Sequence, residues 1–147
     1  MKNSSRIQPL KNLASRHEQQ AARVLGQSRS QLCQKQVRLQ ELFVYRSEYQ
    51  QRFRSDAKEG IGVTQLQAYH AFMQQLDAAI AQQRLQVQKA ESSLSNVSAE
   101  WRETHIRTQV LDKTIQRLNV KERRHADKIN QREIDDLVGS RYCSSLE

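Results

Sequence analysis

Residues 66–129 of this 147-residue chain read LQAYHAFMQQLDAAIAQQRLQVQKAESSLSNVSAEWRETHIRTQVLDKTIQRLNVKERRHADKI. With residue 66 as position a of a seven-residue repeat, an apolar side chain recurs every three or four places for about nine repeats. The a and d positions are Leu66, Tyr69, Met73, Leu76, Ile80, Gln83, Val87, Ala90, Leu94, Val97, Trp101, Thr104, Thr108, Leu111, Ile115, Leu118, Glu122, His125 and Ile129. A repeat this long predicts a coiled coil, so we expect function through surfaces that bind partners rather than through an enclosed pocket.

A weaker repeat precedes this one and is separated from it by turn signals. Gly60 can adopt the left-handed conformation that ends a helix, and Thr64 with Gln67 is typical of a capping box that opens the next one. The positions of the first repeat are Leu25, Leu32, Leu39, Arg46 and Phe53, with Ala14, Ala21, Ser28, Lys35, Leu42 and Tyr49 between them. The two repeats therefore predict two helices joined by one tight turn.

The predicted fold is all-α, a long antiparallel two-helix coiled coil (helical hairpin) that forms a single domain over residues 1–147. Pro9, tolerated in a first helical turn, is expected to start helix one, at about 9–58, followed by a turn at 59–63. Helix two is expected at about 64–136, with a flexible tail at 137–147. Pairing about the turn sets residue 10 opposite about residue 112, so residues 113–136 should overhang helix one.

Composition supports a narrow core and a charged partner. Only 37% of residues are hydrophobic and 5% aromatic, while the formal net charge is +8 and the pI about 9.9. The excess charge lies in residues 1–30 and 113–132, each of which carries five more basic than acidic side chains. Nucleic acid, an anionic membrane surface and an acidic protein are all candidate partners for such a charge. The basic segments have neither interleaved aromatic residues nor large lipid-facing apolar residues, which argues against the first two.

Nothing in the sequence indicates catalysis or metal binding. His17 and Glu18 begin like a zinc-protease motif, but Ala21 stands where the second histidine would be. Cys33 and Cys143 are far apart and are interpreted as free thiols. No phosphate-binding loop is present, and no apolar stretch is long enough for a signal peptide or a membrane span. The prediction is a non-enzymatic protein without metal or cofactor that stays in the cytosol and does not insert directly into the membrane.

Some apolar side chains lie one step off the repeat. Phe72 and Ala79 occupy g positions, and Tyr45 takes the corresponding place on helix one. A two-helix coil cannot fully cover an aromatic side chain at such a position, so an exposed apolar patch of the kind found at protein interfaces is expected. The alternative interpretation is that these three side chains add to the packing along the seam instead of forming an exposed patch.

Three segments of the chain resemble the flagellar export protein family FliJ. They are Phe43-Val44-Tyr45-Arg46-Ser47-Glu48-Tyr49, Gly60-Ile61, and Tyr69-His70-Ala71-Phe72-Met73-Gln74-Gln75-Leu76 followed by Ile80, Arg84-Leu85 and Trp101-Arg102-Glu103. The resemblance covers most of the chain and is strongest at residues 39–103. From Lys113 onward only the composition matches.

This resemblance implies a stalk and escort component of the bacterial flagellar type III protein-export apparatus. The implied partners are the export ATPase (FliI-like), its regulator (FliH-like), the export gate protein FlhA and substrate chaperones. The implied location is cytoplasmic, with peripheral association at the inner membrane through the apparatus. Carried over by position, the gate-binding residues would be Leu42, Tyr45, Tyr49, Phe72, Leu76 and Ala79.

For contact with the ATPase ring, the sequence supports only a basic region. The predicted residues are Arg16, Arg23, Arg123, Arg124 and Lys128. Two alternatives remain open at this point: the equivalent stalk protein of a virulence type III secretion system, and a basic coiled coil that binds nucleic acid.

Overall fold

The computed structural model describes residues 3–146, which form two helices and the turn between them. Helix α1 spans Asn3–Lys58 and helix α2 spans Val63–Ser145. The helices pack against each other in opposite directions, because early residues of α1 contact late residues of α2. The predicted all-α, antiparallel two-helix coiled coil is confirmed.

The turn depends on a glycine. Gly60 has a φ of 97°, in the left-handed region that a side chain disfavours, as predicted. The N–H of Gly60 donates to the carbonyl of Ala57 over 3.2 Å, which closes the last turn of α1. The N–H of Leu66 then donates to the carbonyl of Gly62 over 3.1 Å and begins α2.

The core is the predicted seam between the helices. All buried residues of α2 lie at the predicted a and d positions, and they are Met73, Leu76, Ile80, Val87, Ala90 and Ile115. On α1 the buried residues Ala14, Leu25 and Ser28 lie on the predicted repeat, and Ser4 extends it towards the N-terminus. Among the described residues no side chain is completely buried, as expected for a seam only two helices wide.

Three charged residues of the α1 repeat, Lys11, Glu18 and Arg46, pair with e-position residues of α2 at one register. In each of these three pairs the two residue numbers sum to 123. The pairs are Lys11–Asp112 at 2.7 Å, Glu18–His105 at 2.5 Å and Arg46–Asp77 at 2.8 Å. The helices thus keep the same pairing at each of these contacts, close to the predicted opposition of residues 10 and 112.

The chain forms two compact units. The turn unit runs from Ala21 to Trp101 and contains the turn with most of the buried apolar residues. The terminal unit combines α1 up to Gln20 with the chain from Arg102 onward. Ala14 and Ile115 are buried in the terminal unit.

Both predicted outer ends were wrong, because each helix is longer than expected. Helix α1 begins at Asn3 and contains Pro9, the residue expected to start it. Proline removes the helical hydrogen bond to the carbonyl four residues earlier, which here belongs to Ser5. Ser5 is exposed, so water can satisfy that carbonyl and the helix is not interrupted.

The overhang of α2 consequently starts later than residue 113. The backbone N–H and the hydroxyl of Ser4 donate to the two carboxylate oxygens of Glu122, over 3.1 and 2.7 Å. The carboxylate accepts one of the N–H groups that a helix start leaves unpaired, and its charge suits the helix dipole. Ile115 is buried within the paired region, and every described residue from Arg123 onward is exposed.

Residues 137–145, predicted to be a flexible tail, continue α2 as helix. Gly139 costs helix stability but does not by itself end a helix. The hydroxyls of Ser144 and Ser145 donate to the carbonyls of Arg141 and Tyr142, which satisfies acceptors in the last turn. The final residue, 147, lies outside the described part of the chain.

Candidate functional site

Most of the predicted gate-binding residues lie together in the turn unit. Tyr45 and Phe72 meet edge to face, with ring centroids 5.9 Å apart and ring planes inclined by 83°. Tyr49 lies closer to Phe72, with centroids 4.3 Å apart. Tyr45 is 49% exposed although it touches this cluster, so part of the aromatic surface faces solvent.

The other predicted gate-binding residues contribute unequally to this surface. Leu42 and Ala79 are half-buried, whereas Leu76 is only 6% exposed and belongs to the seam. A partner cannot reach Leu76 without separating the helices. Its place in the predicted set is best explained as support for the exposed residues above it.

The aromatic cluster is larger than the sequence indicated. Phe53 and Tyr69 stack with centroids 3.6 Å apart, and Tyr69 also stacks on Tyr49 at 5.7 Å. The aromatic cluster is therefore Tyr45, Tyr49, Phe53, Tyr69 and Phe72. Phe53 and Tyr69 had been assigned to the seam alone. Spacings of four residues on α1 and three on α2 are a signal that could have joined them to the others, since such residues share a helix face.

Packing among the rings stabilises the end of the hairpin next to the turn. Edge-to-face and offset ring pairs contribute about 0.5–1.5 kcal/mol each beyond the burial of their area. The cluster therefore holds α1 against α2 and fixes the rotamers of the rings that reach the surface. A fixed ring loses little conformational entropy when a partner binds.

Two contacts of charged side chains lie near the aromatic cluster along the hairpin. The Arg84 guanidinium lies 5.2 Å from the centre of the Phe43 ring, within cation–π range, on a face of α1 that Tyr45 does not share. The Arg46 Nε donates to the Asp77 carboxylate over 2.8 Å. An apolar centre with a polar rim is typical of protein interfaces.

The five predicted ring-contact residues do not form one cluster. Arg123, Arg124 and Lys128 lie within about one and a half turns of α2, all exposed, beyond the last residue paired with α1. Arg16 is exposed on α1, opposite the level of residue 107, which is roughly 24 Å along the α2 axis from residue 123. Arg23 is also exposed but belongs to the turn unit.

The described residues include no group of three or more histidine, cysteine, aspartate or glutamate side chains able to hold a metal ion. Cys33 and Cys143 are exposed free thiols, as the sequence predicted. Neither helix, over its described residues, is long and apolar enough to cross a membrane.

Comparison with known proteins gives a consistent result over nearly the whole chain. The model of the family described as "Flagellar FliJ protein" matches residues 2–147. The Flagellar FliJ protein of Salmonella typhi is 28% identical over 132 residues, which cover 90% of each chain. That of Escherichia coli (strain K12) is 29% identical over 129 residues, 88% of each chain.

Proposed function

The chain belongs to the flagellar FliJ protein family, whose members are components of the flagellar export apparatus, and we propose that it acts there as a non-enzymatic stalk and escort. In this role it promotes assembly and ATP hydrolysis of the export ATPase ring. It links that ring and its regulator to the export gate FlhA and handles substrate chaperones. It works in the cytoplasm, next to the inner membrane.

The observation that carries the gate-binding part of the proposal is the exposed edge of the aromatic cluster. Tyr45 is half-exposed and packs on Phe72, which Tyr49 contacts in turn, so a partner meets a rigid aromatic anchor. Aromatic side chains of this kind dominate the binding energy of many interfaces. We assign the contact to Tyr45 and Phe72, with Leu42, Tyr49 and Ala79 around them and Leu76 beneath.

The ring-binding part of the proposal depends on charge. Arg123, Arg124 and Lys128 project from a part of α2 that no longer pairs with α1. Exposed ion pairs contribute little each, but several of them steer association and permit repeated release. Weak contacts of this kind suit a stalk that must move relative to its ring.

Gate binding can be tested by alanine substitution at Tyr45 and Phe72, with the neighbouring residue Val44 as the control. Tyr45→Ala and Phe72→Ala should each weaken binding of the FlhA cytoplasmic region at least tenfold in calorimetry, because they remove the aromatic anchor. Val44 is also about half-exposed, at 46%, so Val44→Ala is a matched control that should bind normally. If Tyr45→Ala and Phe72→Ala bound the gate as tightly as Val44→Ala, the assignment would be refuted.

The stalk role is tested by ATP hydrolysis of the cognate export ATPase with and without this protein at moderate salt. Stimulation should saturate near one chain per ring, and Arg123→Glu with Arg124→Glu should abolish it while gate binding stays intact. If the wild-type chain does not stimulate although it binds the gate, the stalk role is wrong and only the escort role remains.

A further inference from the structure

The outward face of α2 in the terminal unit carries a strip of exposed residues that the proposed function does not use as a whole. The strip follows α2 from residue 106 to residue 142 in steps of three and four, at positions outside the seam. Its first part is apolar, with Ile106 58% and Val110 55% exposed. Its last part is apolar too, with Val138 61% and Tyr142 67% exposed. Solvated helix faces rarely carry so many large apolar residues.

Charges lie inside these apolar ends in complementary order. The basic residues Lys113 and Lys121 follow the first apolar part, and the acidic residues Asp127 and Asp135 precede the last one. All four side chains are exposed. From residue 106 towards the centre of the strip, apolar side chains are therefore followed by basic ones. From residue 142 towards the centre, apolar side chains are followed by acidic ones.

The spacing makes this order self-complementary in an antiparallel pairing. When two copies of the strip run antiparallel with Arg124 opposite Arg124, the numbers of any two facing residues sum to 248. The matches on either side of Arg124 are Ile106 with Tyr142, Val110 with Val138, Lys113 with Asp135, Arg117 with Gln131, and Lys121 with Asp127. Four of these five matches join two apolar residues or two opposite charges, and Arg117 with Gln131 joins a cation to a neutral amide that can accept a hydrogen bond from it.

From this pattern we propose that a second copy of the chain docks antiparallel along the strip, with the two-fold axis at Arg124. Such an interface is isologous, so each match occurs twice, once on either side of the axis. Lys113 then contacts Asp135 of the second copy, and Asp135 contacts Lys113 of the second copy. Asp135 accepts a hydrogen bond from Gln131 of its own helix at 3.1 Å through one oxygen, which leaves the other for the lysine.

A groove in the terminal unit can receive the apolar end of the second copy. This open groove of about 550 Å³ lies between the helices beside Ile106 and Val110. Leu10 and Leu13 line its other side and are 56% and 51% exposed. Tyr142 and Val138 of the second copy would cover these four residues, each of which is more than half exposed in the single chain.

The same features make the association weak and reversible. The charge pairs are exposed and contribute little each, and both chains carry a net charge of +8. The paired segments are roughly 54 Å long and one helix wide, so the buried area lies at the low end for specific complexes. The two Arg124 side chains repel each other at the axis.

Because the dimer covers Arg124, it would compete with the proposed ring contact, although the inference itself does not depend on that contact.

The test is a charge exchange between two variants of the full chain. Lys113→Glu alone places two acids opposite each other, and Asp135→Lys alone places two lysines opposite each other, so each variant should associate less than wild type. A mixture of the two restores both pairs across a heterodimer. Sedimentation equilibrium at high micromolar concentration should therefore show at least a threefold tighter association in the mixture than in either variant alone.

Further variants test the position of the axis and the apolar ends. Arg124→Gln should strengthen self-association, because it removes the repulsion at the axis, and Tyr142→Ala should weaken it. Circular dichroism checks that every variant remains helical. A wild-type chain that stays monomeric, or a mixture that associates no better than its components, would overturn the proposal. So would association that Tyr45→Ala abolishes and the charge variants leave unchanged.

Discussion

Arg46 of α1 and Asp77 of α2 form an ion pair of 2.8 Å although Arg46 occupies a seam position where an apolar side chain is usual. The side chains are 36% and 57% exposed, so solvent screens the pair and its contribution is below about 1 kcal/mol. The Arg46 side chain is nevertheless mostly covered, and its guanidinium finds a carboxylate where the seam meets solvent. Arg46 is thus tolerated in the seam because α2 offers a carboxylate at the right level.

This relationship predicts that Arg46→Leu stabilises the protein. Leucine would bury apolar area along the seam, which offsets the loss of a weak, exposed pair, and Asp77 would remain hydrated. The free energy of unfolding should rise by about 1 kcal/mol. Urea denaturation measures it, and Asp77→Asn serves as the control that removes only the charge. A loss of more than about 1 kcal/mol in Arg46→Leu would show that the pair is worth more than an exposed one.

Two leucines of α2 should respond very differently to the same substitution. Leu76 is 6% exposed in the seam, and Leu85 is 56% exposed outside it. Leu76→Ala should lower the free energy of unfolding by about 2 kcal/mol or more, since it leaves a cavity. Leu85→Ala should change it by less than about 0.5 kcal/mol. Thermal unfolding of both variants checks this, and equal losses would contradict the seam register.

Two glycines should respond with opposite signs. Gly60→Ala forces a side chain into the left-handed region at φ 97° and should destabilise the protein by about 1–2 kcal/mol. Gly26 lies inside α1, where an added methyl group would meet nothing within 4 Å. Gly26→Ala should therefore stabilise by about 0.5–1 kcal/mol. Chemical denaturation of the two variants and the wild type gives both signs in one experiment.

The contact between Glu122 and Ser4 predicts a local effect at the start of α1. Glu122→Ala removes the acceptor of the Ser4 N–H, a loss similar to that of a helix cap, at about 1 kcal/mol. Hydrogen exchange of amides in the first two turns of α1 should accelerate roughly fivefold, in proportion to that energy. Amides near Ile80, in the turn unit, should be unaffected. Acceleration throughout the chain would mean that Glu122 stabilises more than this helix end.

The sequence predicted the seam and the turn well, because both depend on local rules. Met73, Ile80 and Val87 repeat at seven, and any helix that buries one of them buries all three. Gly60 was identifiable since few other residues adopt a positive φ. Counting residues across the turn places Tyr45 and Phe72 in one region of the hairpin, and the structure adds that their rings are in contact.

The outer ends of the helices could not be predicted in the same way. The start of α1 is stabilised by the carboxylate of Glu122, which is 118 residues away from Ser4 in sequence and therefore invisible to local rules. The stacking of Phe53 on Tyr69 was missed for a related reason. A seam assignment says that each ring is partly buried, but not which ring it meets.

The sum of 123 shared by the three cross-helix pairs Lys11–Asp112, Glu18–His105 and Arg46–Asp77 restricts how the family can vary in length. An extra residue in one helix would offset every pair farther from the turn than the insertion. Seven residues added at matching levels of both helices would keep each pair and each seam position. Natural relatives that are longer or shorter between the turn and the paired N-terminus should therefore differ by matched multiples of seven, whereas the unpaired end of α2 is free to change by any number.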